Sequence, residues 1–284
     1  MPRHALLPVL LAALFTPSLF AAADREASRA AILIPVAGTV SGANGTRFQT
    51  DVTLTTQGHD PFPVLVDVYW LPQNARGTGA PVVRLTLQPR EIELFEDFVT
   101  RTLGKTGLGS VIFRTVEEDG TADLAGRIDA YARVWTPVPG GRGTMSQGVP
   151  ASTLYSPDID DFQPIAGMIY GLRHDASFRS NYGIVNMSAK AMTFTVAFLA
   201  NGIRQREETI SLEPSSMTQR PVPSGVFGAV TIEVTPHQES PATYDLGPWT
   251  AYGSSVDNIT GDAWFAKAQS AYPHNEGPPC APDF

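Results

Sequence analysis

Phe178-Arg179-Ser180-Asn181-Tyr182-Gly183-Ile184-Val185-Asn186 follows the same plan as Phe48-Gln49-Thr50-Asp51-Val52-Thr53-Leu54-Thr55-Thr56: aromatic, polar, hydroxyl, Asp or Asn, then an alternating apolar run. At the same offset, Val64, Val66 and Val68 fall on Phe194, Val196 and Phe198, a second run of period two. A stretch that recurs with its downstream neighbour marks an internal repeat, and a repeat decides the architecture before any single element does. Gly183, where the first copy has Thr53, predicts a bulge or a close backbone approach.

The match extends outward in both directions. Ala31 to Gly38 is apolar, and its Pro35, lacking a backbone donor, predicts an edge strand. Its counterpart is Pro164 to Gly171. Val83 to Pro89 is echoed by Glu208 to Pro214, Gly109 to Thr115 by Gly228 to Val234, and Ile128 to Val134 by Trp249 to Val256. Glu118-Asp119-Gly120 reads as a hairpin turn ahead of the strand Gly126 to Trp135. Glu93 to Leu103 breaks the strand rhythm: Leu94 and Phe98, and Phe95 and Val99, are four apart and Gly104 follows, which predicts a short helix without a counterpart in the second copy. Short strands at regular spacing predict an all-β protein of two tandem antiparallel immunoglobulin-like β-sandwiches. The expected boundaries are 31–136 and 164–266, joined by a Pro/Gly-rich linker, 137–163, and followed by a flexible tail, 267–284.

Residues 1–23 carry Arg3, an apolar run from Ala5 to Phe15, and Ala21-Ala22-Ala23, the pattern of a cleaved signal peptide. Pro8, Thr16, Pro17 and Ser18 interrupt the run, which argues against a membrane anchor. The expected compartment is the periplasm or the cell exterior, with no transmembrane segment in the mature chain. The formal net charge is −8, and one unit more negative without Arg3. Such a chain has no electrostatic footprint for nucleic acid. The single cysteine, Cys280, excludes an internal disulfide, so stability must come from buried cores.

Ile34-Pro35-Val36-Ala37-Gly38, Asn44-Gly45-Thr46, the Phe48 strand and the closing Ala251-Tyr252-Gly253-Ser254-Ser255-Val256-Asp257-Asn258-Ile259-Thr260-Gly261-Asp262 together resemble a group of exported bacterial proteins. In that group, paired immunoglobulin-like or fibronectin-like sandwiches repeat a strand F-x-T-D-x-x-L-x-N and end near V-D-N-x-T-G-D. The likeness spans Ala31 to about Phe265. It implies a secreted or surface protein with no assigned catalytic activity. Thr56 departs from the pattern where Asn186 keeps it, a difference that bears on a turn.

Catalytic patterns are absent from the sequence. There is no G-x-S-x-G elbow and no H-E-x-x-H, and His59, His174, His237 and His274 fall in loops or the tail. Two oxygen-rich clusters are weak calcium candidates, Asp158 with Asp160, and Asp257 with Asn258 and Asp262, although the second reads more naturally as turn chemistry. Neither requires a metal, and no cofactor is expected. Tyr69, Tyr131 and Trp135 are candidates for stacking against sugar rings from an outer sheet face. The expected function is a non-catalytic structural, adhesive or interaction module with a protein or cell-surface glycan partner. The alternatives are a carbohydrate-binding module and a pilus-type periplasmic chaperone, the latter with Arg127 and Arg133 as its basic pair.

Overall fold

The computed structural model describes residues 30–42, 45–56, 62–153, 166–237 and 249–271. The expected signal peptide, Asp158, Asp160, His59, His274 and Cys280 lie outside the described residues.

The chain is all-β and antiparallel. The first unit contains β1 (Ala31–Ser41), β2 (Arg47–Thr56), β3 (Val64–Pro72), β4 (Val83–Leu87), β5 (Ile92–Phe95), the one-turn helix α1 (Phe98–Arg101), β6 (Gly107–Val116), β7 (Ile128–Pro137), β8 (Thr144–Pro150) and β9 (Ser152–Thr153). The second contains β10 (Ala166–His174), β11 (Phe178–Asn186), β12 (Met192–Ala200), β13 (Ile203–Leu212), β14 (Ser216–Pro221), β15 (Gly228–Pro236), β16 (Trp249–Asp257), β17 (Ala263–Lys267) and β18 (Gln269–Ala271). One layer of the first unit runs β4-β3-β6-β1 with β9 on β1; the other runs β8-β7-β2 with β5 on β2. The second unit repeats this order strand for strand, as β13-β12-β15-β10-β18 and β14-β11-β16-β17.

Period-two alternation builds each core. Thr50, Val52 and Leu54 of β2 are buried while their neighbours are partly exposed. Val52 and Leu54 join Val66, Val68, Val111 and Phe113 of the facing layer in one apolar cluster. Phe98 from α1 closes this core against Phe113, with ring centroids 5.6 Å apart. In the second unit Ile184 and Tyr182 meet Phe194, Val196 and Phe198 in the same way. Each such side chain contributes about 1.5–3 kcal/mol on leaving water.

The hydroxyl in the recurring stretch ties the layers together. Thr50 Oγ1 accepts the Gly38 N–H at 2.8 Å and donates to the Gly38 carbonyl at 3.0 Å. In the second unit Ser180 Oγ donates to the Arg173 carbonyl at 2.6 Å, and Ser255 Oγ takes the Arg173 N–H at 3.0 Å. Both hydroxyl residues are buried, so the stretch is conspicuous because it satisfies backbone groups where a strand passes from one layer to the other.

Several expectations are corrected. Glu93 to Leu103 is not one helix: β5 pairs with β2, and the backbone turns at Asp97 with φ 44° before α1. Asp51 Oδ1 accepts the Asp97 N–H at 3.0 Å and holds that turn. The segment also has a strand counterpart, β14, whose Pro221 stands at its end. The expected linker contains β8 and β9, paired with β7 and β1, because Pro137 and Pro150 sit at strand ends and Gly140 and Gly143, with φ 67° and 90°, form the turn. The expected tail begins with β18, paired with β10. Asp119-Gly120 does turn the chain, but β6 and β7 lie in different layers and do not form a hairpin. Finally, β1 is not a simple edge: β9 pairs at its start and β2 at its end, and Pro35 occupies the bulged stretch between them. An equivalent bulge in β10 is made by Gly171 with φ 77°.

The two units share an apolar contact. Val185, Met187, Met217 and Tyr252 of the second belong to the same cluster as Leu33, Leu71 and Ile112 of the first. Backbone pairing adds to it: the Asn74 N–H donates to the Met217 carbonyl at 2.8 Å and the Gly77 N–H to Pro214 at 3.1 Å, so the stretch after β3 covers the free edge of β14. Thr218 Oγ1 donates to Asn74 Oδ1 at 2.8 Å.

Candidate functional site

The outer face of the β5-β2-β7-β8 layer carries the most prominent exposed apolar group on the first unit. Leu94, Thr53, Tyr131 and Pro150 lie in one row across the four strands, with Asp51, Arg133 and Gly148 in the next. Ile92 is 74% exposed, Leu94 62% and Tyr131 51%. Tyr131 lies across Gly148, where a Cβ would fall 1.6 Å from its hydroxyl. Arg133 forms an ion pair with Asp51 at 3.9 Å, donates to Thr144 Oγ1, and places its guanidinium 5.4 Å from the Trp135 ring centre.

The corresponding face of the second unit is the one buried against the first. Tyr252 occupies the place of Tyr131, opposite Gly183 as Tyr131 is opposite Thr53, yet it is 1% exposed. Its ring stacks on Phe265 at 5.5 Å, its hydroxyl donates to Gln219 Oε1 at 2.9 Å, and burial pushes the phenol pKa far up. Gly183 provides the room: a Cβ there would meet the ring at 2.2 Å. Gly183 makes neither the bulge nor the backbone approach expected of it: β11 pairs in unbroken register with β14 and β16, and what comes close is the Tyr252 ring at the junction of the two units.

The sugar-stacking candidates do not form a platform. Tyr69 is buried on the outer face of the other layer, its ring 5.3 Å from the Arg114 guanidinium, and burial raises its pKa. Trp135 is half-buried and partly covered by Arg133, which leaves Tyr131 as the one candidate ring openly presented. Outer-face position was legible from alternation, but whether another element covers that face was not.

The Asp257 cluster is a turn. Asp257 Oδ1 accepts the N–H groups of Ile259 at 2.7 Å and Thr260 at 3.0 Å, and these bonds, Thr260 first, lower its pKa. Asn258 Oδ1 accepts from Arg179 at 2.9 Å, and Asp262 Oδ1 takes the Ala263 N–H at 3.1 Å. Among the described residues no three His, Cys, Asp or Glu side chains come together as a metal site would need.

The described histidines are likewise engaged. His237 Nε2 lies 2.6 Å from Thr195 Oγ1. His174 Nδ1 accepts the Ser180 N–H at 3.1 Å and its ring stacks on Phe227 at 6.0 Å. Burial lowers the His174 pKa, and nearby Asp175 opposes the shift. A base with a lowered pKa resists protonation in the folded state, so its contribution to stability is present above histidine's ordinary value of about 6.5 and lost as pH falls below it. His174→Asn keeps an acceptor near the Nδ1 position without a titrating group. The variant is expected to lose less stability than the parent between about pH 7.5 and 5, measured by urea unfolding; identical losses would sink this reading.

A cavity is lined by Ala30, Arg127, Asp129 and Thr153, and among the described residues its lining holds no serine, cysteine or histidine. Among the described residues no helix is long and apolar enough to cross a membrane. No family model and no curated protein matches the chain.

Proposed function

We propose that the protein is a non-catalytic interaction module of an exported, tandem immunoglobulin-like kind, acting in the periplasm or outside the cell, and that the outer face of β5 and β7 binds a protein partner. One observation carries this: the face that displays Ile92, Leu94 and Tyr131 is the counterpart of the second unit's face that already packs against the other unit of the chain. Exposed apolar patches rimmed by charge mark interaction sites. A protein is favoured over a glycan because Tyr131 stands without a second open ring, while Ile92 and Leu94 offer aliphatic surface that sugars use poorly. A pilus-type chaperone is less well supported, since Arg133 is held by Asp51 and Thr144 rather than poised in a cleft.

The test is a photo-reactive phenylalanine analogue incorporated at Leu94 in the producing cells. A polypeptide adduct is expected at this position and not at Thr209, which alternation places on the polar outer face of β13. A saccharide adduct, or equal polypeptide capture at both positions, would refute the assignment.

A further inference from the structure

The open edge of β5 has an occupied counterpart in the same chain. Thr53 stands opposite Leu94 in the first unit and Gly183 opposite Gln219 in the second, so Ile92 corresponds to Met217, Leu94 to Gln219 and Pro89 to Pro214. The turns entering the two strands agree as well: Arg90 and Ser215, both left-handed with φ 61° and 50°, hold the same place. Antiparallel pairing turns the backbone groups of alternate residues toward the neighbouring strand and the rest away from it. The Thr56 N–H donates to the Glu91 carbonyl at 3.2 Å and the Val222 N–H to the Ser180 carbonyl at 2.8 Å, which sets that alternation. Ile92 and Leu94, like Met217 and Gln219, therefore direct their N–H and C=O groups away from the paired strand.

On β14 that side is filled by main chain. Gln73 bridges to Met217 in parallel, the Asn74 N–H donates to the Met217 carbonyl at 2.8 Å, and Gln73 Nε2 donates to the Gln219 carbonyl at 3.1 Å. The Gly77 N–H donates to the Pro214 carbonyl at 3.1 Å, and a Cβ on Gly77 would fall 2.3 Å from the Ser215 oxygen. Met217 is fully buried in the apolar cluster that the two units share. On β5, by contrast, no described residue donates to the Pro89, Ile92 or Leu94 carbonyl, and both apolar side chains are exposed. Open edges are ordinarily guarded by charge, as β13 is by the exposed Arg204, Arg206 and Glu207. The residues that β5 turns to its open side are an isoleucine and a leucine.

Resting on the reading of the β5 and β7 face given above, we propose that its protein partner is held by main chain: a segment of another polypeptide lies along the β5 edge as Gln73 to Gly77 lies along β14, and packs apolar side chains on Ile92 and Leu94. The segment offers backbone N–H groups three residues apart to the Ile92 and Pro89 carbonyls. It needs glycine at the second, because Arg90 occupies the place of Ser215, against which Gly77 has no room for a Cβ. It needs asparagine or glycine at the first, because Asn74 has φ 54°. Glu93 replaces Thr218, whose hydroxyl donates to Asn74 Oδ1 at 2.8 Å, and a carboxylate there calls for a donor, which an asparagine amide nitrogen supplies. The chain's own Gln73 to Gly77 is engaged on β14, and in its place after β12 the second unit has only the turn Asn201-Gly202.

The test combines the photo-reactive analogue at Leu94, in the producing cells, with Ile92→Pro or Ile92→Val. Ile92 is the first residue of an edge strand and its N–H points away from β2, so the fold tolerates proline there while the ring blocks an approaching main chain. Valine has as many side-chain carbons as proline but leaves the backbone free. Ile92→Pro is expected to cut the polypeptide adduct about tenfold or more. Ile92→Val is expected to cut it by no more than about fourfold. Mass spectrometry of the parent's adduct should place the cross-link beside an Asn or Gly followed three residues on by Gly. Equal adducts from the two variants, or a cross-linked segment without that spacing, overturn main-chain docking and leave the binding face in place. A parent that captures no polypeptide overturns the binding face and main-chain docking together. If Ile92→Pro melts more than about 5 °C below the parent, Leu94→Pro and Leu94→Val replace the pair, with the analogue moved to Tyr131.

Discussion

Gly183→Thr, which installs the residue of the first copy, is expected to lower the thermal unfolding midpoint by about 5 °C or more. A Cβ at this position would fall 2.2 Å from Tyr252 Cζ and 2.4 Å from its hydroxyl, far inside contact distance. Tyr252 cannot retreat, because Phe265 stacks on it and the first unit closes the remaining side. Overpacking a filled site costs about 1–3 kcal/mol. The first unit supplies the control. There the equivalent tyrosine, Tyr131, leans on Gly148 of the next strand, so Gly148→Ala also meets a ring, but Tyr131 is half exposed and can swing into solvent. Its expected cost is under about 1 kcal/mol. A Gly183→Thr midpoint within a degree of the parent, or equal effects at the two glycines, would overturn this account of the junction.

Asn186→Ala is expected to destabilise the second unit by about 3 kcal/mol. Asn186 is buried; its Nδ2 donates to the carbonyls of Lys190 at 2.8 Å and Glu213 at 2.9 Å, and its Oδ1 accepts the Ser188 N–H at 2.9 Å and the Ser188 hydroxyl at 2.8 Å. Alanine would leave several of these groups unpaired away from water, and each such group costs about 1–3 kcal/mol. Thr56, the counterpart, makes only an exposed 3.3 Å bond from its hydroxyl to Gln88, the residue equivalent to Glu213. Thr56→Ala is therefore expected to cost under about 1 kcal/mol. Urea midpoints for the two variants decide the matter, and equal losses would show that the asparagine does no more than the threonine.

Much of the fold was legible because burial alternates locally. Val52, Leu54, Val66 and Val68, and their partners Tyr182, Ile184, Val196 and Phe198, could be assigned to a core face from spacing alone. β5 was harder to read. In Ile92–Phe95 and the α1 turn, a four-residue edge strand and a single helical turn together mimic a helical period, and the left-handed residue separating them, Asp97, is not a glycine. β8 and β9 were hidden by prolines and glycines that mark strand ends and a turn rather than a linker. The candidate face was half legible: Tyr131 and Trp135 could be put on an outer face, but Leu94 was absorbed into the supposed helix and Ile92, just before it, was missed.

The sequence by itself determined the repeat, the antiparallel all-β class and the inward face of most strands, because those depend on neighbours two residues apart and on a pattern written twice. It also showed which positions differ between copies, such as Thr53 and Gly183. Only the tertiary structure decided what those differences mean. Tyr131 and Tyr252 occupy the same place on the same strand, yet one faces solvent and the other lies beneath a neighbouring unit. No local pattern distinguishes them, since the covering residues, from Leu71 to Gly77, are far away in sequence and reach Tyr252's sheet only through the packing of one unit on the other.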